Sequence, residues 1–185
     1  MAQNEKTDGF FAVFYSALPT AMPDFDLILC AERKADIAKT KNEEAKREKF
    51  YAWRLLEYAV KCGTGSDLND LCPRKTDTGK WVADGVYFSL SHSHGTVAVC
   101  VSDRPCGVDI EELVPPRAKN FAKKALTELW SKKESLFKKS GAAVFSPKNL
   151  DTDLGVRAVR VTLAERQFVL SFASENLEKA TLTEL

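Results

Sequence analysis

Between residues 86 and 113 the chain alternates apolar and polar side chains in three short runs separated by turn residues. In Val86–Ser91 (VYFSLS), Val86, Phe88 and Leu90 share one face, and Tyr87, Ser89 and Ser91 share the other. A period of two marks a strand with one buried face. Thr96–Ser102 (TVAVCVS) turns Val97, Val99 and Val101 inward, and Gly107–Leu113 (GVDIEEL) does the same with Val108 and Ile110. Ser93-His94-Gly95 and Asp103-Arg104-Pro105 are turn sequences. The three runs therefore predict an antiparallel meander.

The flanks supply the remaining elements. Phe10–Ala17 is aromatic and β-branched and reads as a strand, broken by Pro19 and Pro23. From about Ala31 to Val60 the pattern is helical, with a charge-dense stretch at Lys39–Lys49 and an apolar stripe of Phe50, Trp53, Leu56, Tyr58 and Val60. Residues 63 to 85 carry scattered Gly, Asp, Asn and Pro and read as a long, mostly irregular connection. Pro115-Pro116 stops the sheet, Arg117 to Lys139 is helical, and Gly141 ends that helix. Arg157–Leu163 and Gln167–Ala173 form a hairpin around residues 164–166, and the polar tail after Ser174 reads as frayed or helical.

The 185 residues suffice for one domain or two small halves. A net charge of +1 argues against nucleic acid as the main partner, because binders of polyanionic backbone carry a basic excess. No apolar run approaches the ~20 residues that span a bilayer. The N-terminus lacks signal-peptide architecture, so no membrane or secretory location is expected. The five cysteines form no CxxC pair, and Cys62 and Cys100 read as small core residues. A reducing, cytoplasmic setting follows as the expectation.

Two carboxylates stand out. Asp109 and Glu111 are two apart on a predicted strand and share the face opposite Val108 and Ile110. At ~7 Å they repel by about 2 kcal/mol at an effective dielectric near 20, and by much less in bulk water. A solvated strand face relieves that repulsion, and so does a hard divalent cation such as Mg²⁺. On the following helix, Trp130, Glu134 and Lys138 are spaced by four and lie on one face with Phe137. An ordinary Glu134–Lys138 ion pair accounts for the charges but not for the aromatic frame. His92, between Ser91 and Ser93, is open to three readings: turn cap, base or phosphate ligand.

Taken together, FSLSHS (Phe88–Ser93), GVDIEE (Gly107–Glu112) and WSKKESLFK (Trp130–Lys138) resemble the 4′-phosphopantetheinyl transferases, most strongly over residues 79 to 141. The resemblance implies transfer of the phosphopantetheine arm of coenzyme A to a serine of an acyl or peptidyl carrier protein, with release of 3′,5′-ADP. It implies Asp109, Glu111 and Glu134 as ligands of Mg²⁺ (or Mn²⁺), and Lys138 as the lysine that stabilises or protonates the departing nucleotide. Ser91 and His92 look like contacts to the 3′-phosphate region, and Arg47 like the nucleotide-binding arginine. Lys80 looks like the lysine of a GKP element, and Lys133 precedes Glu134 as in the family. About 100 residues precede GVDIE, which is similar to the larger, monomeric subtype. The implied fold is α+β: a pseudo-dimer of two similar α/β halves, 1–103 and 104–185, each a small antiparallel sheet packed with a long helix. Coenzyme A would lie in the cleft between them.

The sequence departs from the family in two places. Trp81 stands where the family has proline, and the stretch from Glu111 to Trp130 is short. The short stretch leaves Glu112 and Glu128 as candidates for the base, with neither assigned. Three competing readings accompany the main one: a relative that binds coenzyme A or a carrier without transfer, a different Mg²⁺-dependent phosphotransferase, and a plain interaction module. No P-loop or kinase signature supports the second.

Overall fold

In the computed structural model, which describes residues 9–113 and 121–185 (side chains of 121–125 excepted), the chain is α+β. Strand β1 (Phe11–Ala17) is followed by helices α1 (Ala31–Ala38) and α2 (Glu43–Thr64). A two-stranded ribbon of β2 (Arg74–Lys75) and β3 (Trp81–Val82) comes next, then β4 (Tyr87–Ser93), β5 (Thr96–Ser102) and β6 (Cys106–Glu112). Helix α3 (Phe121–Ser140), the hairpin of β7 (Val156–Leu163) and β8 (Arg166–Ser174), and β9 (Ala180–Glu184) complete the order. The predicted start of the last helix at Arg117 lies outside the described residues.

Two sheets organise these elements. The first has the order β4-β5-β1-β9 and the second β6-β8-β7. The predicted meander therefore holds only for its first two strands. β5 takes β1, not β6, as its second partner, with Val13 opposite Cys100. β6 pairs antiparallel with β8, Asp109 opposite Ser171. The turn after β5 is what separates the strands. Asp103 Oδ1 accepts from the Phe10 backbone N–H at 3.1 Å and from Asn176 Nδ2 at 2.7 Å, which ties the corner to β1 and to the end of β8.

Both faces of β5 are buried. Val97, Val99 and Val101 pack into a core under α2 with Trp53, Leu56 and Val60. Ala98 and Cys100 join a second core with Phe11, Val108, Ile110, Leu170 and Phe172. The long helix expected from residue 31 is broken at 39–42, where Asn42 accepts from the Ala45 N–H and caps α2 anew. Tyr58 and Cys62 fall on the exposed side of α2. The connection expected to be irregular holds the β2–β3 ribbon. It is anchored by Trp81, whose ring lies 4.9 Å from that of Trp53. The tail expected to fray or coil is strand β9, which adds parallel to β1. The predicted closing hairpin is present, and its turn residues Ala164 and Glu165 both adopt positive φ, as a two-residue hairpin turn requires.

Helix α3 lies on β6 and β8, and it lies close. Ser131 and Ser135 on its inner face are fully buried. A Cβ placed on Gly107 would stand 1.9 Å from the Ser135 carbonyl oxygen and 2.6 Å from the Lys139 nitrogen. No side chain fits there. Gly107→Ala is therefore expected to destabilise the protein by about 3 kcal/mol or more, because backbone must move to admit the methyl. Thermal unfolding of the variant checks this, and a melting temperature equal to wild type would show that α3 does not press on β6 as described.

Candidate functional site

The contact of α3 with β6 sets Lys138 against Asp109. Lys138 Nζ donates to Asp109 Oδ1 at 2.7 Å and to Ser91 Oγ at 3.1 Å, and Ser91 Oγ donates to the same carboxylate oxygen at 2.9 Å. Ser91 Oγ also receives the Ile110 backbone N–H at 3.3 Å, so one hydroxyl ties β4 to β6. Glu134 sits one turn before Lys138 on α3, with Oε2 3.7 Å from Nζ and Oε1 accepting from Trp130 Nε1 at 2.8 Å. Glu111 Oε2 accepts from Ser93 Oγ at 3.3 Å. The structure thus gathers five of the sequence-derived residues: Asp109, Glu111, Glu134, Lys138 and Ser91. The ion pair expected between Glu134 and Lys138 is present, but the ammonium lies closer to Asp109.

Of the two ways open to the DxE pair, the solvated strand face is absent: Asp109 is 1% exposed. Burying a carboxylate demands compensation. Lys138 and Ser91 supply it to Oδ1, whereas Oδ2 is buried with no hydrogen-bond partner among the described residues. Burial, followed by repulsion from Asp109 and Glu134, raises the Glu111 carboxyl above the ordinary glutamate range. Burial and Asp109 raise that of Glu134, opposed by Lys138. Three crowded carboxylates, one with an orphaned oxygen, form a donor set suited in chemistry to a hard divalent cation. As the side chains stand, no three His, Cys, Asp or Glu among the described residues form a closed metal-binding group.

A cavity of about 250 Å³ opens beside the cluster, lined by Lys80, Trp81, Phe88, Leu90, Phe137 and Lys138. A second, of about 570 Å³, shares Lys80, Trp81 and Phe88 with it. Lys80 Nζ donates to the Lys138 carbonyl at 2.6 Å, at the C-terminal end of α3 where a cation is favoured. Burial lowers the Lys80 pKa. Two other sequence-derived residues lie apart from the cluster, each held by a main-chain carbonyl. Arg47 donates to Thr20 at 3.1 Å, and Lys133 to Pro147 at 2.6 Å. His92 projects from the same face of β4 as Leu90, and its Nδ1 is 2.8 Å from Glu48 Oε2.

Both candidate bases are engaged. Arg166 grips Glu112 through Nε at 2.7 Å and Nη2 at 2.5 Å, and this hydrogen bonding holds the carboxyl below its usual range. Glu128 pairs with Lys132 and Arg160. Sequence reasoning missed Glu48, which lies in a charged helical run where no spacing marks it. It also gave no role to Ser93, although FSLSHS contains it.

No protein-family model matches the chain. An alignment of 96 residues is 29% identical to the 4′-phosphopantetheinyl transferase gsp of Aneurinibacillus migulanus, covering 41% of this chain and 40% of that protein.

The carboxylate cluster makes a prediction about stability. A carboxyl whose pKa is higher folded than unfolded costs stability above that raised pKa and nothing below the unfolded one. Glu134→Gln should therefore raise the melting temperature by a few degrees at pH 7 in chelator. That gain should vanish below about pH 4. Paired melting curves at the two pH values test this; a loss at neutral pH would mean that Glu134 contributes more through Lys138 than it costs.

Proposed function

We propose that this chain is a 4′-phosphopantetheinyl transferase, which moves the phosphopantetheine arm of coenzyme A onto a serine of an acyl or peptidyl carrier protein. The observation that carries the reading is the Lys138 ammonium held between Asp109 Oδ1, Ser91 Oγ and Glu134 Oε2 beside an apolar-walled cavity. The partial similarity to gsp supports the same class of reaction.

In this reading coenzyme A lies along the cavity, between the halves 1–103 and 104–185 of a monomer, with its diphosphate at the Lys138 end. Asp109, Glu111 and Glu134 are the residues that would hold Mg²⁺ or Mn²⁺, and Asp109 Oδ2 is the carboxylate oxygen with no other partner among the described residues. The chemistry such an ion would supply is neutralisation of charge on the diphosphate. The carrier serine oxygen attacks the phosphorus that bears pantetheine. A new P–O bond forms, the bridging P–O bond to the adenosine-side phosphate breaks, and 3′,5′-ADP leaves with the electron pair. The serine proton passes to a carboxylate of the cluster. Lys138 Nζ faces the leaving oxygen, where a fixed positive charge lowers the barrier as negative charge develops. Ser91 and Asp109 keep that ammonium in place, and Phe88, Leu90 and Phe137 exclude water along the cavity wall.

Intact-protein mass spectrometry of an apo carrier protein incubated with this protein, coenzyme A and Mg²⁺ tests the reading. The expected result is a gain of one phosphopantetheine, abolished by EDTA. No gain across several carriers, with coenzyme A still bound, favours the relative that binds without transfer. Lys138→Ala should slow transfer about 100-fold or more while Mg²⁺ still binds. Glu134→Gln should nearly abolish transfer, and a wild-type rate in that variant would overturn the ligand set.

A further inference from the structure

Among the described residues Glu48 and Asp109 are the buried acids, and only Asp109 belongs to the cluster above. Glu48 extends from α2 into the β4–β5 turn and takes one donor on each oxygen. The Gly95 backbone N–H reaches Oε1 at 2.7 Å, and His92 Nδ1 lies 2.8 Å from Oε2. Gly95 follows His94 in a turn where both have positive φ, and that conformation aims the Gly95 N–H back at the helix. Burial alone would raise the Glu48 pKa. The bonds from His92 and Gly95, with His94 nearby, outweigh burial and hold it below the usual range. The carboxylate is therefore charged and acts only as an acceptor.

A carboxylate on Nδ1 fixes the imidazole. Nδ1 must carry its proton to meet Glu48, so Nε2 is the nitrogen left for a ligand. When the ring takes a second proton it goes on Nε2, which then donates. The ring is neither buried nor free: His92 is one-third exposed (34%), and it shares a strand face with the cavity residue Leu90. Arg47, the neighbour of Glu48 in sequence, is turned away onto the Thr20 carbonyl.

We propose that Glu48 is a positioning residue: its carboxylate on Nδ1 orients His92 and balances the imidazolium, whose Nε2–H then donates to an anionic group of the nucleotide end of coenzyme A. This rests on the reading given under Proposed function. Glu48→Gln separates positioning from bracing. The amide keeps the shape and can still accept from Gly95, but it carries no charge to balance an imidazolium, so the ring meets the anion through a neutral Nε2–H, a weaker donor than the charged ring.

The test is calorimetric titration of wild type and Glu48→Gln with coenzyme A and with dephospho-coenzyme A, which lacks only the 3′-phosphate. Melting curves serve as the folding control. Glu48→Gln should weaken coenzyme A binding about tenfold, the scale of one charge-assisted hydrogen bond, and leave dephospho-coenzyme A unchanged. In turnover the loss should fall on the KM for coenzyme A with kcat retained. Adding Glu48→Gln to His92→Ala should cause no further loss, since the two act through one contact. Equal weakening of both ligands, or a further loss in the double variant, would assign Glu48 to bracing the turn and overturn the proposal. Wild type that fails to bind coenzyme A would remove the functional reading itself, and this inference with it.

Discussion

The close approach of α3 to β6 at Gly107 is the constraint on which the rest of the site depends. Elements packed face to face normally stand about 10 Å apart because side chains intervene. Here Gly107 and the buried Ser131 and Ser135 remove that layer, and the Ser135 carbonyl takes the space of a Cβ. Lys138, one turn beyond Glu134, can then reach a carboxylate whose own strand is buried. Glycine at position 107 is thus a statement about distance, with Asp109 and Lys138 as its beneficiaries.

The two sheets share an apolar core, but along the margin where β4 meets β6 their seam is polar. Ser91 and Ser93 on β4 meet Asp109 and Glu111 on β6, and Ser91 both donates to a carboxylate and accepts a backbone N–H. Each hydroxyl satisfies groups that would otherwise be stranded away from water. Among the described residues nothing satisfies Asp109 Oδ2, and burial, with crowding by the neighbouring carboxylates, raises the pKa values of Glu111 and Glu134. Concentrating unrelieved negative charge at one place opposes stability and favours an incoming cation; functional sites characteristically make that exchange.

Local alternation was enough to read β4, β5, β6 and the β7–β8 hairpin from the sequence. Spacing alone brought out Asp109 with Glu111 and Glu134 with Lys138. Pairing was not legible, because Val97, Val99 and Val101 say that β5 has an inner face but not that Ala98 and Cys100 face a second core. Small residues on a covered strand look like the outside of an exposed one. The break between α1 and α2 hides in a charge-dense run, and only the Asn42 cap marks it. β9 is polar because it is an edge, so its composition resembles a tail. The burial of Asp109 and the grip of Glu48 on His92 are tertiary facts, made by contacts between segments far apart in sequence.

β9 lies parallel to β1, with Phe11 opposite Ala180 and Tyr15 opposite Glu184. The first sheet therefore draws its strands from opposite ends of the described chain. Closing so long a loop is entropically slow, and contacts of such separation depress folding rates. During synthesis β1, β4 and β5 emerge early and can assemble, but β1 keeps an unpaired edge until residues 180–184 arrive. Until those residues are made the nascent chain carries an open strand edge, the kind of surface that recruits other strands or a chaperone.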